Sequence, residues 1–191
     1  MDFQRVIRLQ RMTRRFDERP IEPEVLDRIL ANSQKSPSAG FSQGFAFLVL
    51  EGADAEMFWK ITSPRRGEGF TTPAIIIPLA NKQAYLDRYS ESDKAGFGLE
   101  KEENWPVPFW LVDTSFASMI ILLSATAEGL GCWFFGIFSA QKELLQHFGV
   151  AEGFEPIGAI ALGYPSERDV RSPSLKRGLR SFESVFHKGR W

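Results

Sequence analysis

The feature that most constrains the fold is a long apolar segment, Phe109 to Leu130, which is interrupted by Asp113, Glu128 and several serines and threonines. Its part from Thr114 to Glu128 predicts a helix that is apolar on nearly all sides, and a helix of this kind is normally buried at the centre of a fold. Because charged and hydroxyl side chains interrupt the segment, a core helix explains it better than a membrane span. We therefore expect a globular domain organised around one central helix.

The rest of the chain alternates between helical spacing and short apolar runs, which predict helices and buried strands. Pro78 falls inside one run and demotes one end of that strand, since proline cannot donate to a sheet ladder. The predicted helices run from Phe3 towards the arginines that follow, from Pro23 to just before Lys35, Glu56–Ile61, 81–90 and Ala140–Phe148, and the predicted strands are Phe45–Leu50, Ala74–Ala80, Cys132–Phe138 and Ile157–Gly163.

The 191 residues are most simply one domain, long enough to bury a continuous core. Within it, the stretch from about 81 to 110 is charged, contains glycine and lacks a clear period over most of its length, which is typical of an excursion or lid. The tail 164–191 has little periodicity but keeps several large apolar side chains. We expect this extended tail to pack on a partner subunit.

Charge and cysteine content exclude several classes of function. The net charge is −1 and the pI is about 6.2, which argues against general binding to nucleic acid or to a membrane surface. Cys132 is the only cysteine, so an intrachain disulfide is impossible and a reducing, cytoplasmic setting fits best. With two histidines far apart, a structural zinc site is improbable, and we predict no metal.

Three cations within five residues, Arg11, Arg14 and Arg15, form the most unusual local feature. One interpretation is the end of a helix, where cations favour the dipole and Asp17 and Glu18 supply counter-charge. The other is a binding site for an anion such as phosphate, which would convert repulsion between the arginines into charge-assisted hydrogen bonds. The segment alone leaves both interpretations open.

A pattern of the serine-hydrolase type, G-x-S-x-G, occurs at Gly40–Gly44, and Asp113 and His187 follow in the order found in hydrolases. A nucleophile elbow needs a strand before the serine and a helix after it, whereas here a helix precedes and a strand follows. The pattern therefore does not indicate a hydrolase. Gly129-Leu130-Gly131 also fails as a dinucleotide fingerprint, because Phe134 stands where glycine is required and the glycines follow a helix.

The loop Ser36-Pro37-Ser38-Ala39-Gly40-Phe41-Ser42-Gln43 combines small residues, hydroxyl groups and an amide. Taken alone, it is a helix-to-strand connection whose serines and glycine serve turns. The alternative interpretation is a polar rim that offers hydrogen bonds to a planar, polar ligand, but the segment alone favours the connection.

In their order along the chain, these segments resemble the FMN-dependent nitroreductase family. Arg11-Met12-Thr13-Arg14 resembles the R-S-x-R phosphate signature of that family, and Ser36-Pro37-Ser38 with Gln43 resembles its A-P-S-x-x-x-x-Q loop. The segment from Asp113 to Gly136 is similar to its central helix and the glycine turn that follows. Ile157–Pro165 is similar to its P-x-G-x-x-x-L-G-Y-P strand, and the resemblance covers nearly the whole chain.

The resemblance implies an α+β fold with a central, mostly antiparallel sheet flanked by helices, in an intertwined homodimer with FMN at the interface. Arg11 and Arg14 would hold the phosphate, with Met12 alongside through its backbone and with Arg177 and Arg180 closing the pocket from the tail. The residues that would contact the flavin are, by the same resemblance, Phe134, Phe135 and Gly136 of one subunit, with a backbone N–H near N5, and Pro37, Ser38, Ala39 and Phe41 of the other.

The function implied is two-electron transfer from NADH or NADPH, through FMN, to a small acceptor such as a nitroaromatic or a quinone. Hydride transfer is the chemistry of the cofactor, so no side chain of the protein is named as catalytic. Two alternatives stay open on the same fold: a flavin-dependent dehydrogenase or oxidase of a specific metabolite, or an enzyme linked to a deazaflavin, and a flavin-binding protein without catalytic activity. Met12 and Phe135 depart from the pattern of the family and bear on flavin affinity and potential.

Overall fold

The computed structural model of the protein describes residues 1–63 and 72–191. Among these residues, the helices and strands lie between Phe3 and Gly163, and the tail that follows contains only short 3-10 turns. In chain order the elements are α1 (Phe3–Leu9), α2 (Pro23–Ser33), β1 (Phe45–Glu51), α3 (Gly52–Thr62), β2 (Ala74–Asn81), α4 (Lys82–Ser90), α5 (Phe109–Ala127), β3 (Gly131–Phe135), α6 (Gln141–His147), β4 (Phe154–Pro156) and β5 (Ala159–Gly163).

The strands form one antiparallel sheet in the order β1-β2-β5-β3, with β4 also paired to β2. The predicted α+β class with a mostly antiparallel sheet is confirmed. β2 lies inside this sheet, because β1 pairs with one side of it and β4 and β5 with the other. β3 is at the end of the order and pairs with β5 alone among the strands that the structure describes.

The prediction that Pro78 demotes one end of its strand is wrong, because β2 continues through it to Asn81. On one side of β2 the pairing changes from Ile76↔Ile160 in β5 to Leu79↔Pro156 in β4. Between these two pairs, the connection from β4 to β5 has one residue more than the facing part of β2. The Pro78 carbonyl accepts the Ile157 N–H at 3.1 Å on this side. The missing N–H of proline therefore falls at a break in the ladder, where no partner is required of it.

Two apolar layers cover the two faces of the sheet. Side chains alternate along β2, so Ile75 and Ile77 pack with Phe58 of α3, whereas Ile76 packs with Ile121 of α5 and Ile29 of α2. All three isoleucines of β2 are fully buried. The sheet is thus a middle layer, with α3 and α6 on one side and α2 and α5 on the other.

The central helix, α5, begins at Phe109, earlier than the predicted Thr114, and packs on β2, β1 and α2. By length and composition alone it could cross a membrane, with a mean hydropathy of 1.5. In the fold one face is buried, but Phe116 and Met119 on the opposite face are 49% and 42% exposed. The expectation of a helix buried on nearly all sides is therefore not met within a single subunit.

The predicted excursion contains α4 and a small aromatic core of its own. Trp105 lies edge-on to Tyr85, Tyr89 and Trp110, and its indole N–H donates to the Leu99 carbonyl at 2.7 Å. These contacts tie the segment to the start of α5. The tail, in contrast, is exposed over most of its length, and Leu179 and Trp191 are fully accessible.

Candidate functional site

The arginine segment lies beside the edge strand β3. α1 ends at Leu9, and the following residues are extended and pair with the strand. Met12 forms a parallel bridge with Cys132, and the Thr13 N–H donates to the Cys132 carbonyl at 2.8 Å. Gly131 permits this close approach, because a Cβ at that position would lie 2.7 Å from Thr13 atoms. The cations therefore follow a helix rather than ending it.

The counter-charge of Arg11 is Asp169, which lies 158 residues further along the chain, and not Asp17 or Glu18. Asp169 Oδ2 accepts from the Arg11 guanidinium, while Oδ1 accepts the backbone N–H groups of Arg14 and Arg15 at 2.9 and 3.0 Å. Burial by itself raises the pKa of Asp169, but these hydrogen bonds outweigh it, so the pKa lies below its ordinary value. The carboxylate fixes the conformation of the whole arginine segment.

The side chains of Met12 and Arg14 reach the aromatic part of β3. The Phe134 N–H donates to Met12 Sδ at 3.4 Å, a weak hydrogen bond to a thioether. The Arg14 guanidinium carbon lies 5.6 Å from the centre of the Trp133 ring, within the range of a cation–π contact. The structure thus brings three predicted phosphate-site residues together with the predicted flavin-contact strand.

The residues at the end of β3 differ in what they can offer to a ligand. The Phe135 ring stacks on the Trp59 ring, with 5.3 Å between the ring centroids and an angle of 10° between the planes. The Phe135 side chain therefore packs into the protein interior. Gly136 follows the strand, and the exposed Phe138 ring lies where a side chain at Gly136 would begin. The strand ends at Phe135 rather than at the predicted Phe138. Phe135 still pairs with Ala159 in the sheet, and Gly136 lies just beyond this last pair.

Gln10 is a residue that the sequence did not single out. Its Nε2 is buried and has no hydrogen-bond partner among residues 1–63 and 72–191. A buried donor without an acceptor is unfavourable by about 1–3 kcal/mol. Gln10 directly precedes Arg11 in the chain.

The loop predicted to form a polar rim is held by α4 and α5. The Ala39 N–H donates to Asp113 Oδ2 at 2.8 Å, and the Gly40 carbonyl accepts Arg88 Nε–H at 2.9 Å. Ser38 Oγ accepts the Gln43 N–H at 3.0 Å. Pro37 precedes these contacts directly in the chain. Within one subunit these contacts attach the loop to α4 and α5 and not to β3.

The same loop has an unusual backbone. Gly40, Phe41 and Gln43 have φ values of 61°, 56° and 50°, a conformation that residues with a Cβ adopt at a cost. The Phe41 side chain is 73% exposed. The loop therefore presents an aromatic ring outward from a backbone that is held in place by Asp113 and Arg88.

Asp113 also accepts the Tyr85 hydroxyl at 2.8 Å, in a site where both side chains are buried. Burial, and then the hydrogen bond to Asp113, raises the pKa of Tyr85 well above its ordinary value, so its hydroxyl stays a donor. The hydrolase order of Ser42, Asp113 and His187 has no counterpart here, because Asp113 is bonded to Tyr85 and Ala39. α2 precedes Ser42 and β1 follows it, as the sequence indicated.

Arg177 and Arg180 lie in the exposed tail. Arg177 ends a short 3-10 helix, Pro173–Arg177, and the Arg180 guanidinium donates to the Ser184 carbonyl. Their contribution to the phosphate pocket stays a prediction.

Several solved structures share this arrangement of helices and sheet. A nitroreductase family protein of Clostridium difficile has a TM-score of 0.74 at 18% identity, with 100% of both chains covered. NfrA2 of B. megaterium has a TM-score of 0.78 at 18% identity, with 100% of this chain and 76% of that one covered. A protein provisionally named a nitroreductase, from Desulfovibrio desulfuricans, was solved in complex with FMN and has a TM-score of 0.74 at 20% identity, covering 100% of this chain and 98% of that one.

Sequence comparison gives the family. The family model described as Nitroreductase family matches residues 7–164. A relative from Archaeoglobus fulgidus, provisionally named an NADH dehydrogenase/NAD(P)H nitroreductase, is 28% identical over 166 residues, 85% of each chain. The chain belongs to the nitroreductase family, and the resemblance seen in the sequence is confirmed.

Proposed function

We propose that the protein is an FMN-dependent oxidoreductase that takes two electrons from NADH or NADPH and passes them to a small acceptor such as a nitroaromatic or a quinone. One observation supports this most directly: the segment with Arg11 and Arg14 runs along the edge of β3, where Met12 contacts both Cys132 and Phe134. Cations for a phosphate and backbone groups for a flavin ring therefore lie side by side.

The arginine side chains of this protein match the charge of the FMN phosphate. Arg11 and Arg14 would hold it, with the Met12 backbone alongside. Arg177 and Arg180 would complete the pocket from the tail. A phosphate monoester carries up to two negative charges, and each charge-assisted hydrogen bond to it contributes about 1.5–3 kcal/mol.

The ring end would be held by backbone more than by side chains. When bound, FMN accepts a hydride from the nicotinamide and delivers two electrons to the acceptor. The protein would orient the ring with Phe134 and the backbone of Phe135 and Gly136, with one N–H near N5, and a fixed N–H dipole there stabilises developing negative charge. Pro37, Ser38, Ala39 and Phe41 of a second copy would cover the ring. No side chain acts as an acid or base in this proposal.

The second copy is supported by apolar surface that one subunit leaves open. α1 packs against α5, and the two helices expose a common set of large apolar side chains. Surface of this kind marks interaction sites in soluble proteins. The exposed large apolar residues of α1 and α5 are Phe3, Ile7, Leu9, Phe116 and Met119, and those of the tail are Val170, Leu175, Leu179, Phe182, Val185, Phe186 and Trp191. We expect light scattering to give the mass of a dimer, and a monomer that binds FMN fully would contradict this part of the proposal.

The experiment for the activity is a flavin spectrum followed by anaerobic reduction. We expect the purified protein to carry FMN or to bind it when FMN is added. Addition of NADH or NADPH should then bleach the visible absorbance band of the bound oxidised flavin. Absence of any flavin binding would refute the proposal. Binding without reduction by either nicotinamide would favour an enzyme that uses a metabolite or a deazaflavin as donor. Reduction without turnover of any acceptor would favour a flavin-binding protein.

A further inference from the structure

Asp169 makes three hydrogen bonds to the arginine segment and has almost no contact with solvent. Its side chain is 1% exposed, whereas the side chain of Arg11, its ion-pair partner, is 34% exposed. A carboxylate with so little exposure is retained only when its oxygens are well satisfied. The backbone amides of Arg14 and Arg15 and the Arg11 guanidinium satisfy both oxygens.

The contact with Asp169 engages only part of the Arg11 guanidinium. The hydrogen bond to Asp169 comes from one terminal nitrogen, and a guanidinium has five N–H donors in a rigid plane. Arg11 also lines a cleft of about 160 Å³, together with Leu9, Thr13, Gly131 and Pro165 among others. The ion pair therefore holds the guanidinium at one nitrogen and leaves its other donors able to face a ligand.

Asp169 also joins the tail to this segment. The Ser166 N–H donates to the Arg15 carbonyl at 3.0 Å, and Phe16 bridges to Pro165. Arg177 and Arg180 follow in the same tail, a few residues further on. The Asp169 carboxylate thus links Arg11 directly to the first part of the tail.

We propose that Asp169 is a positioning residue, which holds Arg11 in the orientation that binds the FMN phosphate. The proposal rests on the FMN-dependent function given above. The opposite role, an internal anion that competes with phosphate for the arginines, is disfavoured because the buried carboxylate would have to leave three donors. By neutralising Arg11, Asp169 also lowers the repulsion within the cluster before the ligand binds. Preorganisation of this kind improves affinity by reducing the ordering that binding requires.

The test compares the affinities of FMN and riboflavin, which differ by the phosphate. In Asp169→Asn the amide oxygen still accepts the two backbone N–H groups, but the amide nitrogen cannot accept from Arg11. We expect its FMN dissociation constant to rise on the order of 10-fold, by analogy with metal sites, where loss of the partner that orients a ligand weakens binding by about 10- to 100-fold. Riboflavin affinity should not change. Asp17→Asn, which removes an exposed carboxylate near the same arginines, is the matched control and should change neither affinity.

A double-mutant cycle assigns the effect to Arg11. The FMN dissociation constant of Arg11→Gln should not rise further when Asp169→Asn is added, since the group that Asp169 positions is then absent. If Asp169→Asn does not fold, Asp169→Glu moves the charge by one methylene and should weaken FMN binding by a smaller factor, with riboflavin binding unchanged.

Three results would overturn the inference: unchanged or tighter FMN binding in Asp169→Asn, equal loss of FMN and riboflavin, or an effect that persists in the Arg11→Gln background. A wild-type protein that binds no flavin would instead refute the proposed function. The two failures are therefore distinguishable.

Discussion

The hydroxyl of Tyr85, on α4, donates to the carboxylate of Asp113, on α5, at 2.8 Å, and the same oxygen accepts the Ala39 N–H at 2.8 Å. One buried carboxylate thus connects two helices to the loop that is proposed to cover the flavin of a second subunit. Its position explains why a charged residue stands near the start of an otherwise apolar helix.

Tyr85→Phe should destabilise the fold by about 1–3 kcal/mol, because Asp113 loses one of its two donors inside the core. The measurement is the free energy of unfolding in urea. Tyr89→Phe is the matched control, since within the described part of the chain its hydroxyl makes no hydrogen bond, and its effect should be small. Equal effects of the two variants would contradict the role assigned to Asp113.

Gly40→Ala should destabilise the protein more than Gly149→Ala. The two glycines have φ values of 61° and 64°, so a Cβ costs about 1–2 kcal/mol of backbone strain at either position. A Cβ at Gly40 would also lie 2.7 Å from Tyr89 Cε2, whereas nothing lies within 4 Å at Gly149. We expect a further loss of about 1–3 kcal/mol at Gly40 from overpacking, measured by denaturant unfolding. A smaller loss at Gly40 than at Gly149 would show that the Tyr89 ring moves away freely.

Local patterns predicted most of the elements, because α2, β1 and α4 depend on spacing, prolines and turns within a few residues. The apolar pattern predicts the start of α5 at Thr114, about one and a half turns after its start at Phe109, because Asp113 interrupts the apolar residues. In the structure Pro108 precedes the helix and Asp113 points into the core. A charged residue inside an apolar run was the available signal, because a buried charge needs a partner.

The site was predictable only where its residues are close together in the sequence. The cations at Arg11 and Arg14 and the strand beside them were found from their order along the chain. Asp169 was not found, because it meets Arg11 across 158 residues and no local spacing reports such a contact. Gln10 Nε2 is buried without a hydrogen-bond partner in the part of the chain that the structure describes, and a sequence pattern cannot report such burial.

Tyr164→Phe should raise the pKa of Glu22, which the structure places at about 2. The largest cause of the low value is the hydrogen bond from the Tyr164 hydroxyl, followed by the hydrogen bond from Arg19. Because the folded pKa is depressed, the stabilising contribution of Glu22 is complete above its ordinary value of 4.5 and is lost as the pH falls towards about 2. Carboxyl NMR titration of wild type and variant measures this directly. A Glu22 that titrates near 4.5 in the wild type would contradict the contact.

Cys132 should be inert towards thiol reagents in the folded protein. The side chain is fully buried, and burial raises the pKa of its thiol to about 12. At pH 8 only about one thiol in ten thousand would be ionised. We expect Ellman's reagent to react with one thiol per chain in guanidinium and negligibly in native buffer. Rapid reaction of the native protein would show that β3 opens at this position.

Arg14→Ala should weaken FMN binding, and the turnover of the fully loaded enzyme should stay near normal. Arg14 lies against Trp133 of β3 and is proposed to bind the phosphate, so its removal takes away about 1.5–3 kcal/mol, or roughly 10- to 100-fold in the dissociation constant. Arg15→Ala removes the same charge one residue further along, from an exposed side chain, and should have little effect. Flavin fluorescence titration measures both affinities. The two variants have the same net charge, so an equal loss of FMN affinity in both would indicate long-range electrostatic attraction. Unchanged FMN affinity in Arg14→Ala would count against the assignment of Arg14 to the phosphate.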